Sequence, residues 1–286
     1  MAGLTIAGAL EMALRELSSD SARVDAEYLL SKAVNRSFTW LKTWPDTQLS
    51  EPQEREFRQD MARRKLGEPV AYITGEQGFW TLTLESNPST LIPRAETELL
   101  VEAGLLHLQQ TQVSNSKATT RPKVLDLGTG TGAVALAIAA ERADADVLAC
   151  DFNPQAVELA RRNSVKNKLS NVEVRQSDWF SGVSEHRFNL ILSNPPYVAA
   201  GDPHLDRDDL RFEPATALVA GGDGLDDIRK ISAQAPQYLV SGGALMVEHG
   251  FQQGEAVREL FRVSGFSAVE TRVDLAGLER ITLGIC

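Results

Sequence analysis

Val124-Leu125-Asp126-Leu127 runs directly into the turn Gly128-Thr129-Gly130-Thr131-Gly132, and the mostly apolar residues 133–140 follow. This order predicts a buried strand, a glycine-rich turn and a helix. Glycines let the backbone approach a ligand closely, and the free N–H groups at a helix N-terminus hold an anionic carboxylate or phosphate. The segment therefore predicts a binding site for an adenosine-type ligand.

Beyond Lys123, strand-like and helix-like segments alternate, with strands predicted near residues 124, 147, 172, 188 and 244. Such alternation is typical of an α/β fold, a doubly wound parallel sheet with right-handed crossovers. Ligands of this class of fold bind at the carboxyl ends of the strands. The predicted glycine-rich turn occupies such an end.

Asp151 follows the apolar run 147–150 and is the residue predicted to bind the ribose of the ligand. Asn153, followed by Pro154, is the better cap for the next helix, which leaves the Asp151 carboxylate available to hydroxyl groups. With Ala133 the glycine turn also satisfies the dinucleotide pattern, so a nicotinamide cofactor stays open at this point. The turn is not a Walker loop, because no Lys-Ser/Thr pair follows it.

Asn194-Pro195-Pro196-Tyr197 follows the apolar run 190–192, where a second buried strand is predicted to end. Prolines cannot donate to a sheet, so they end the strand and leave the carbonyl group of Pro195 free to accept a hydrogen bond. Together with the Asn194 amide, this is a rigid acceptor site for an NH₂ group. The ring of Tyr197 can lie against a planar amide or pack in the core. An ordinary proline turn is the competing interpretation.

The chain has 286 residues, a formal net charge of −10, two cysteines and four histidines. This length fits one large and one small domain. The acidic balance argues against an extended face for duplex DNA, which needs basic residues to neutralise phosphates. Cys150, in a predicted buried strand, and Cys286 indicate a reducing compartment without disulfides. The scattered histidines predict no metal site.

Three segments are predicted along the chain. Residues 1–74 show helical periodicity, and charged residues near their start fit neither a signal peptide nor a membrane span, so we expect a cytoplasmic protein. Residues 75–93 are predicted to be a hairpin linker, in which 79–84 alternate as a strand does. Residues 94–286 are the predicted ligand-binding domain, with a polar loop over 109–122 before its first core strand.

Six motifs, in the same order along nearly the whole chain, resemble those of one known family. That family is the protein-glutamine methyltransferases of peptide-chain release factors, called PrmC or HemK, among the class I S-adenosylmethionine-dependent methyltransferases. One departure is Ala95, where the family usually has proline; a helix start tolerates this change at a modest entropic cost. The motifs are Leu91-Ile92-Pro93-Arg94 with Glu96-Thr97-Glu98, residues 126–132, Ser177-Asp178-Trp179-Phe180, Asn194 to Tyr197, Arg211-Phe212-Glu213-Pro214 and Glu248-His249-Gly250.

The resemblance implies that the chain uses S-adenosylmethionine to methylate the glutamine of the Gly-Gly-Gln motif in class-1 release factors. It further implies that residues 1–74 recognise this protein substrate and that an antiparallel pair of strands closes the sheet near the C-terminus. We expect a monomer that binds neither nucleic acid nor membrane directly. The implied cofactor-binding residues are Gly128, Thr129, Gly130, Thr131, Gly132, Asp151, Trp179 and Asn194.

Catalysis is assigned to Asn194, Pro195 and Tyr197, and substrate binding to these three residues and Pro196. The two acceptors would hold the N–H groups of an amide and align its nitrogen with the methyl group. Trp179 is assigned to the adenine by resemblance, and Asp178 could accept from the adenine's amine. Asp126 could approach the ammonium group of the cofactor, but a role as a buried cap of the glycine turn explains this residue equally well, so it is not assigned to the site.

Three other functions fit parts of the sequence. A nucleic-acid amino methyltransferase needs the same acceptors for the NH₂ group of adenine or cytosine. A nicotinamide oxidoreductase fits the glycine turn and Asp151 but leaves residues 194–197 without a role. A binding module without catalysis would use the helical N-terminus alone. The charge and the motifs outside 194–197 favour the protein substrate.

Overall fold

The structure is a computed structural model that describes residues 3–286 except 20, 115–120, 184–186 and 207. The chain divides into two compact units. One comprises Met1–Glu76 with Asp206–Phe212, and the other comprises Gln77–Leu205 with Glu213–Cys286. The finer division predicted from the sequence, with a separate linker over 75–93, stays a prediction.

The first unit is helical, as predicted. Its helices begin at capping residues: the side chain of Thr5 accepts from the N–H of Gly8 at 3.1 Å, and Ser50 and Gln53 form a capping box. Ile6, Leu29, Leu30 and Phe57 are fully buried in the core. The helices are α1 Ile6–Glu16, α2 Ala22–Val34, α3 Phe38–Thr43, α4 Glu51–Lys65 and α5 Val70–Thr74.

A hairpin follows, with β1 Glu76–Phe79 and β2 Leu82–Glu85. The prediction of one strand over 79–84 is wrong, because the chain reverses at Trp80, whose φ of 56° lies in the left-handed region. The backbone N–H of Trp80 donates to Glu98 Oε1 at 2.8 Å, and the indole donates to Glu141 at 2.8 Å. These distant partners stabilise a turn that the local sequence does not specify.

The second unit contains a seven-stranded sheet in the order β5-β4-β3-β6-β7-β9-β8. The first five strands of this order pair in parallel, and the β7–β9 and β9–β8 pairs are antiparallel. The predicted doubly wound sheet with an antiparallel C-terminal pair at its edge is therefore confirmed. The strands are β3 Lys123–Leu127, β4 Asp146–Asp151, β5 Val172–Gln176, β6 Phe188–Ser193, β7 Leu239–Glu248, β8 Ser267–Val273 and β9 Glu279–Ile285.

Helices cover both faces of this sheet. One apolar cluster includes buried residues of α6 Glu98–Ser114, α7 Ala133–Glu141 and α8 Pro154–Lys166. A second cluster includes buried residues of α9 Asp226–Gln234 and α10 Gly254–Val263. None of the described helices combines the length and the apolar character that a membrane crossing needs.

The prediction of a polar loop over 109–122 is wrong at its start, because α6 continues to Ser114. Residues 115–120 of that predicted loop lie outside the described residues. Inside the helix, the hydroxyl group of Thr111 donates to the carbonyl group of His107 at 3.0 Å. A polar side chain that hydrogen-bonds to its own helix is compatible with helical backbone. The polar composition of this segment alone had suggested a loop.

The order in which the strands are connected determines where the candidate site lies in the sheet. From β3 the chain moves outward to β4 and β5, and it then returns to the other side of β3 as β6. The order of strands thus reverses between β3 and β6, which is where ligands bind in this class of fold. The glycine turn follows β3 and residues 194–197 follow β6, so the topology brings both motifs to one edge.

Candidate active site

A cavity of about 400 Å³ lies at the carboxyl ends of the strands in the second unit. Of the described residues that the sequence assigned to the site, Gly132, Pro195 and Tyr197 are not in its lining. Asp126, Asp178 and Thr97, which were not assigned, are in the lining. The assigned residues that line the cavity are Gly128, Thr129, Gly130, Thr131, Asp151, Trp179, Asn194 and Pro196.

The glycine turn is held close to the end of β4. The N–H groups of Gly128 and Thr129 both donate to the carbonyl group of Cys150 at 2.9 Å, and the N–H group of Gly130 donates to Asp151 Oδ2 at 2.8 Å. Gly130 has a φ of 56°, which a residue with a side chain rarely adopts. Backbone rather than side chain therefore faces the cavity here.

The carboxylate of Asp151 binds two backbone segments, the glycine turn and the start of α8. Its Oδ1 accepts from the N–H group of Asn153 at 2.8 Å, so each carboxylate oxygen holds one backbone donor. Each oxygen keeps a lone pair with which it can accept from a ligand hydroxyl group. Burial raises the pKa of Asp151, and these two hydrogen bonds oppose that shift by lowering it. Asn153 caps α8 through the N–H group of Gln155, as the sequence predicts.

Asp126 has the structural role that the sequence analysis left open. Only 1% of it is exposed, and its Oδ2 accepts from the hydroxyl group of Thr129 at 2.6 Å and from the N–H group of Ala135 at 3.2 Å. Burial raises the pKa of this carboxyl group to about 7. Asp126 therefore joins the glycine turn to the first turn of α7.

Trp179 lies over the glycine turn. A side chain added at Gly128 would meet the indole ring at 3.5 Å, so the two residues are in close contact. The backbone of Trp179 is left-handed, with a φ of 46°, and its carbonyl group accepts from the hydroxyl group of Ser177 at 2.8 Å. This turn after β5 presents the indole and the neighbouring Asp178 to the cavity.

Asn194 lies at the end of β6, and its two amide atoms differ in their surroundings. Nδ2 donates to the hydroxyl group of Thr97 at 3.1 Å. Oδ1 is buried and accepts no hydrogen bond from the described residues. Ser193 anchors the strand end, since its hydroxyl group donates to the carbonyl group of Leu127 on β3 at 2.8 Å. An unsatisfied buried acceptor at a cavity is a binding feature, because burial without a partner is costly.

Tyr197 packs in the apolar cluster that covers one face of the sheet. Its hydroxyl group donates to Glu248 Oε1 at 3.3 Å, and burial is the main reason that its pKa is raised. The structure thus gives Tyr197 the packing role that the sequence allowed, and its contact with a substrate amide stays a prediction.

The backbone after Asn194 is fixed by residues that sequence reasoning missed. Gln253 donates to the carbonyl groups of Tyr197 at 3.0 Å and Asp223 at 3.2 Å, and it accepts from the N–H group of Gly250 at 2.8 Å. A side chain on Gly224 would lie 2.2 Å from the carbonyl oxygen of Tyr197. The sequence contained one signal for these contacts, because Gly250 of the motif Glu248-His249-Gly250 is one of the partners of Gln253.

Glu213 also holds a segment of the lining in place. Its carboxylate is fully buried, pairs with Arg94 and accepts from the N–H group of Ile92 at 3.3 Å. These contacts join the segment before α6 to the segment that carries Thr216 and Ala217, two lining residues. Among the residues that the structure describes, no group of three or more His, Cys, Asp and Glu is placed to hold a metal ion.

Comparisons with known proteins agree with this geometry. The family model of the methyltransferase small domain matches residues 105–265, and that of the PrmC N-terminal domain matches residues 9–75. A release factor glutamine methyltransferase of Pseudomonas aeruginosa is 54% identical over 93% of each chain, and one of Escherichia coli is 46% identical over 93% of each chain.

Among solved structures, a methyltransferase of Pyrococcus furiosus shares the fold with a TM-score of 0.51 and 21% identity, over 80% of this chain and 97% of that one. The fold, the motifs and the extent of the sequence identity agree, and the chain belongs to the family of release factor glutamine methyltransferases.

Proposed function

We propose that the chain transfers the methyl group of S-adenosylmethionine to the side-chain amide nitrogen of the glutamine in the Gly-Gly-Gln motif of class-1 release factors, in the cytoplasm. The observation that carries this proposal is the Oδ1 atom of Asn194, which is buried beside the cavity and accepts no hydrogen bond from the described residues. A substrate NH₂ group would supply the missing donor.

The cavity fits S-adenosylmethionine. The glycine turn approaches closely enough for its backbone to contact the methionine part, and Asp151 has acceptor capacity for ribose hydroxyl groups. The aromatic face of Trp179 is suited to adenine. This cofactor supplies a methyl group that a sulfonium already activates, so the chain needs no metal ion or covalent nucleophile for the transfer.

The residues after β6 supply position and polarisation. A primary amide nitrogen is a poor nucleophile, because its lone pair is delocalised into the carbonyl group. If Asn194 Oδ1 and the carbonyl oxygen of Pro195 accept from its two N–H groups, electron density on the nitrogen rises and the amide is fixed toward the methyl group. Preorganised acceptors of this kind are worth roughly 10²–10³ in turnover.

Residues 1–74 are assigned to recognition of the release factor. They belong to a unit other than the one that contains the cavity, and the PrmC N-terminal domain matches most of them. The methyl-transfer chemistry requires only residues of the second unit. Separate recognition of a protein substrate is consistent with the formal charge of −10, which disfavours a nucleic-acid substrate.

The test is methylation of a bacterial release factor with S-adenosylmethionine, followed by mass spectrometry of the Gly-Gly-Gln peptide. We expect one added methyl group on the glutamine amide, and none when that glutamine is replaced by glutamate, which lacks the NH₂ group. Methylation of a lysine, or of a nucleic acid in place of the release factor, would refute the proposal.

The role of Asn194 is tested in the same assay. Asn194→Ala should lower turnover by roughly 10²–10³, because it removes one preorganised acceptor. Asn194→Asp keeps an acceptor and should retain more activity than the alanine variant. Asn189→Ala is the matched control, since Asn189 lies on the same strand and accepts from Lys123 at its other end. Wild-type turnover by Asn194→Ala would contradict the assignment.

A further inference from the structure

The two ends of the Asn194 side chain are chemically opposite, and only one of them suits the proposed substrate. Its carbonyl oxygen accepts hydrogen bonds, whereas its NH₂ group would face the NH₂ group of a glutamine donor to donor. The two orientations have nearly the same shape. Packing alone therefore cannot select between them, and a hydrogen-bond partner must do so.

Thr97 is that partner. It ends the short 3-10 helix Ala95–Thr97, is 4% exposed and lines the cavity. Its hydroxyl oxygen accepts from Asn194 Nδ2 at 3.1 Å, which leaves Oδ1 of Asn194 as the end without a protein partner among the described residues. A hydroxyl group can also donate, however, so its own hydrogen must be directed elsewhere for this arrangement to hold.

The carboxylate of Glu248 is an acceptor available to that hydrogen. This residue ends β7 and is 2% exposed, and its Oε1 accepts from the hydroxyl group of Tyr197 at 3.3 Å. The Thr97 side chain lies beside the same carboxylate, whose Oε2 is buried and accepts no hydrogen bond from the described residues. An ionised carboxylate only accepts, so the hydroxyl group of Tyr197 must donate to it, and its open Oε2 is an acceptor toward which the hydroxyl group of Thr97 can turn. The lone pairs of Thr97 are then left for Asn194.

We propose that Thr97 and Glu248 are positioning residues that fix the Asn194 amide with its carbonyl oxygen toward the substrate. This inference rests on the proposed function, because it explains how the acceptor for the glutamine NH₂ group is oriented. Neither residue needs to touch the substrate. The chain of contacts runs from Glu248 through Thr97 to Asn194, and each of the three lies in the second unit.

Protonation of Glu248 would reverse the direction of the hydrogen bonds in this chain of contacts. A carboxylic acid can donate to Thr97, which can then donate to Asn194 Oδ1 and turn the NH₂ group toward the substrate. Burial raises the pKa of Glu248 to about 7, against the lowering effects of Thr97, Tyr197 and Arg280, while Glu96 raises it further. Turnover should therefore fall as the pH drops through about 7.

The first test compares Thr97→Val with Thr97→Ser. Valine has the shape of threonine but no hydroxyl group, and serine keeps the hydroxyl group. We expect kcat for release-factor methylation to fall about 10- to 100-fold in the valine variant, with KM for the release factor within about twofold of wild type, because orientation rather than binding is lost. Serine should restore most of kcat. Equal kcat values for the two variants would overturn the inference.

The second test uses Glu248→Gln, whose NH₂ group can donate as a protonated carboxyl group does. We expect a kcat about 10- to 100-fold below that of wild type at pH 8, and a pH profile without the wild-type fall between pH 8 and pH 6. Unchanged affinity for S-adenosylmethionine, measured by calorimetry, shows that each variant is folded. A wild-type kcat and profile in Glu248→Gln would overturn the inference.

Failure of the inference and failure of the proposed function give different results. If the wild-type chain does not methylate the release factor, the proposed function fails. If the wild-type chain is active and the hydroxyl group of Thr97 is dispensable, only the positioning role fails.

Discussion

Asp151 holds two backbone N–H groups, one on each carboxylate oxygen, and this geometry makes Asp151→Asn an informative substitution. The carboxylate accepts from Gly130 at 2.8 Å and from Asn153 at 2.8 Å. An asparagine has the same shape but only one acceptor oxygen, so its NH₂ group must face one of these two donors. The glycine turn, the start of α8 or both must then shift.

The expected magnitude follows from that single mismatch. Leaving a buried N–H group without its acceptor costs about 1–3 kcal/mol, and the ribose hydroxyl groups also lose an anionic partner. We therefore expect affinity for S-adenosylmethionine to fall about 5- to 150-fold, since 1.4 kcal/mol corresponds to a factor of ten. Asp151→Ala should also weaken binding by about 1–3 kcal/mol, because the ribose hydroxyl groups lose their acceptor.

The assay is titration calorimetry with S-adenosylmethionine, in parallel with thermal unfolding. Asp146→Asn is the matched control: Asp146 begins the same strand, is exposed and pairs with Arg121 at 3.0 Å. That control should leave the affinity unchanged. The reasoning is refuted if Asp151→Asn binds the cofactor as tightly as wild type, or if it binds NADH tightly and S-adenosylmethionine not at all.

Two further predictions concern the backbone of the site and the first unit. Gly224→Ala should lower kcat for release-factor methylation by at least about tenfold, because the added side chain would lie 2.2 Å from the carbonyl oxygen of Tyr197 and the backbone φ is 75°. Gly222→Ala is the control and should be near neutral, because a side chain there meets nothing within 4 Å. Equal kcat values for the two variants would contradict this prediction. A chain that lacks residues 1–74 should still bind S-adenosylmethionine in calorimetry but methylate an intact release factor poorly, and full activity would count against the recognition role.

The assigned residues that line the cavity come from short stretches of sequence. Residues 124–132 specify a strand and a turn through a local apolar run and local glycines, and Asn153 with Pro154 specifies the start of α8. Because parallel strands end at one edge, placing two such stretches after neighbouring strands is enough to bring them together. This is why eight of the assigned residues line one cavity, while their roles stay predictions.

The wrong or missing parts depend on contacts between distant segments. The turn at Trp80 is held by Glu98 and Glu141, and the partner of Asn194 is Thr97, which is 97 positions earlier in the chain. Thr97 belongs to a motif that the sequence analysis quoted, but no pattern indicates which residue its hydroxyl group contacts. Hydrogen-bond direction is a property of three-dimensional neighbours, and the sequence alone does not supply it.

The importance of these distant contacts follows from the chemistry. Because the methyl donor is already activated, the enzyme contributes mainly by placing one amide nitrogen in line, and a misplacement of about 1 Å can cost about 10²-fold in rate. The segment 194–197 is held at three points: Ser193 ties its start to β3, Thr97 orients Asn194, and Gln253 holds the carbonyl group of Tyr197. Two of these three contacts are made by side chains outside the Asn-Pro-Pro-Tyr motif and its strand. The motif therefore supplies the groups that we propose meet the substrate, while residues elsewhere in the second unit hold those groups in place.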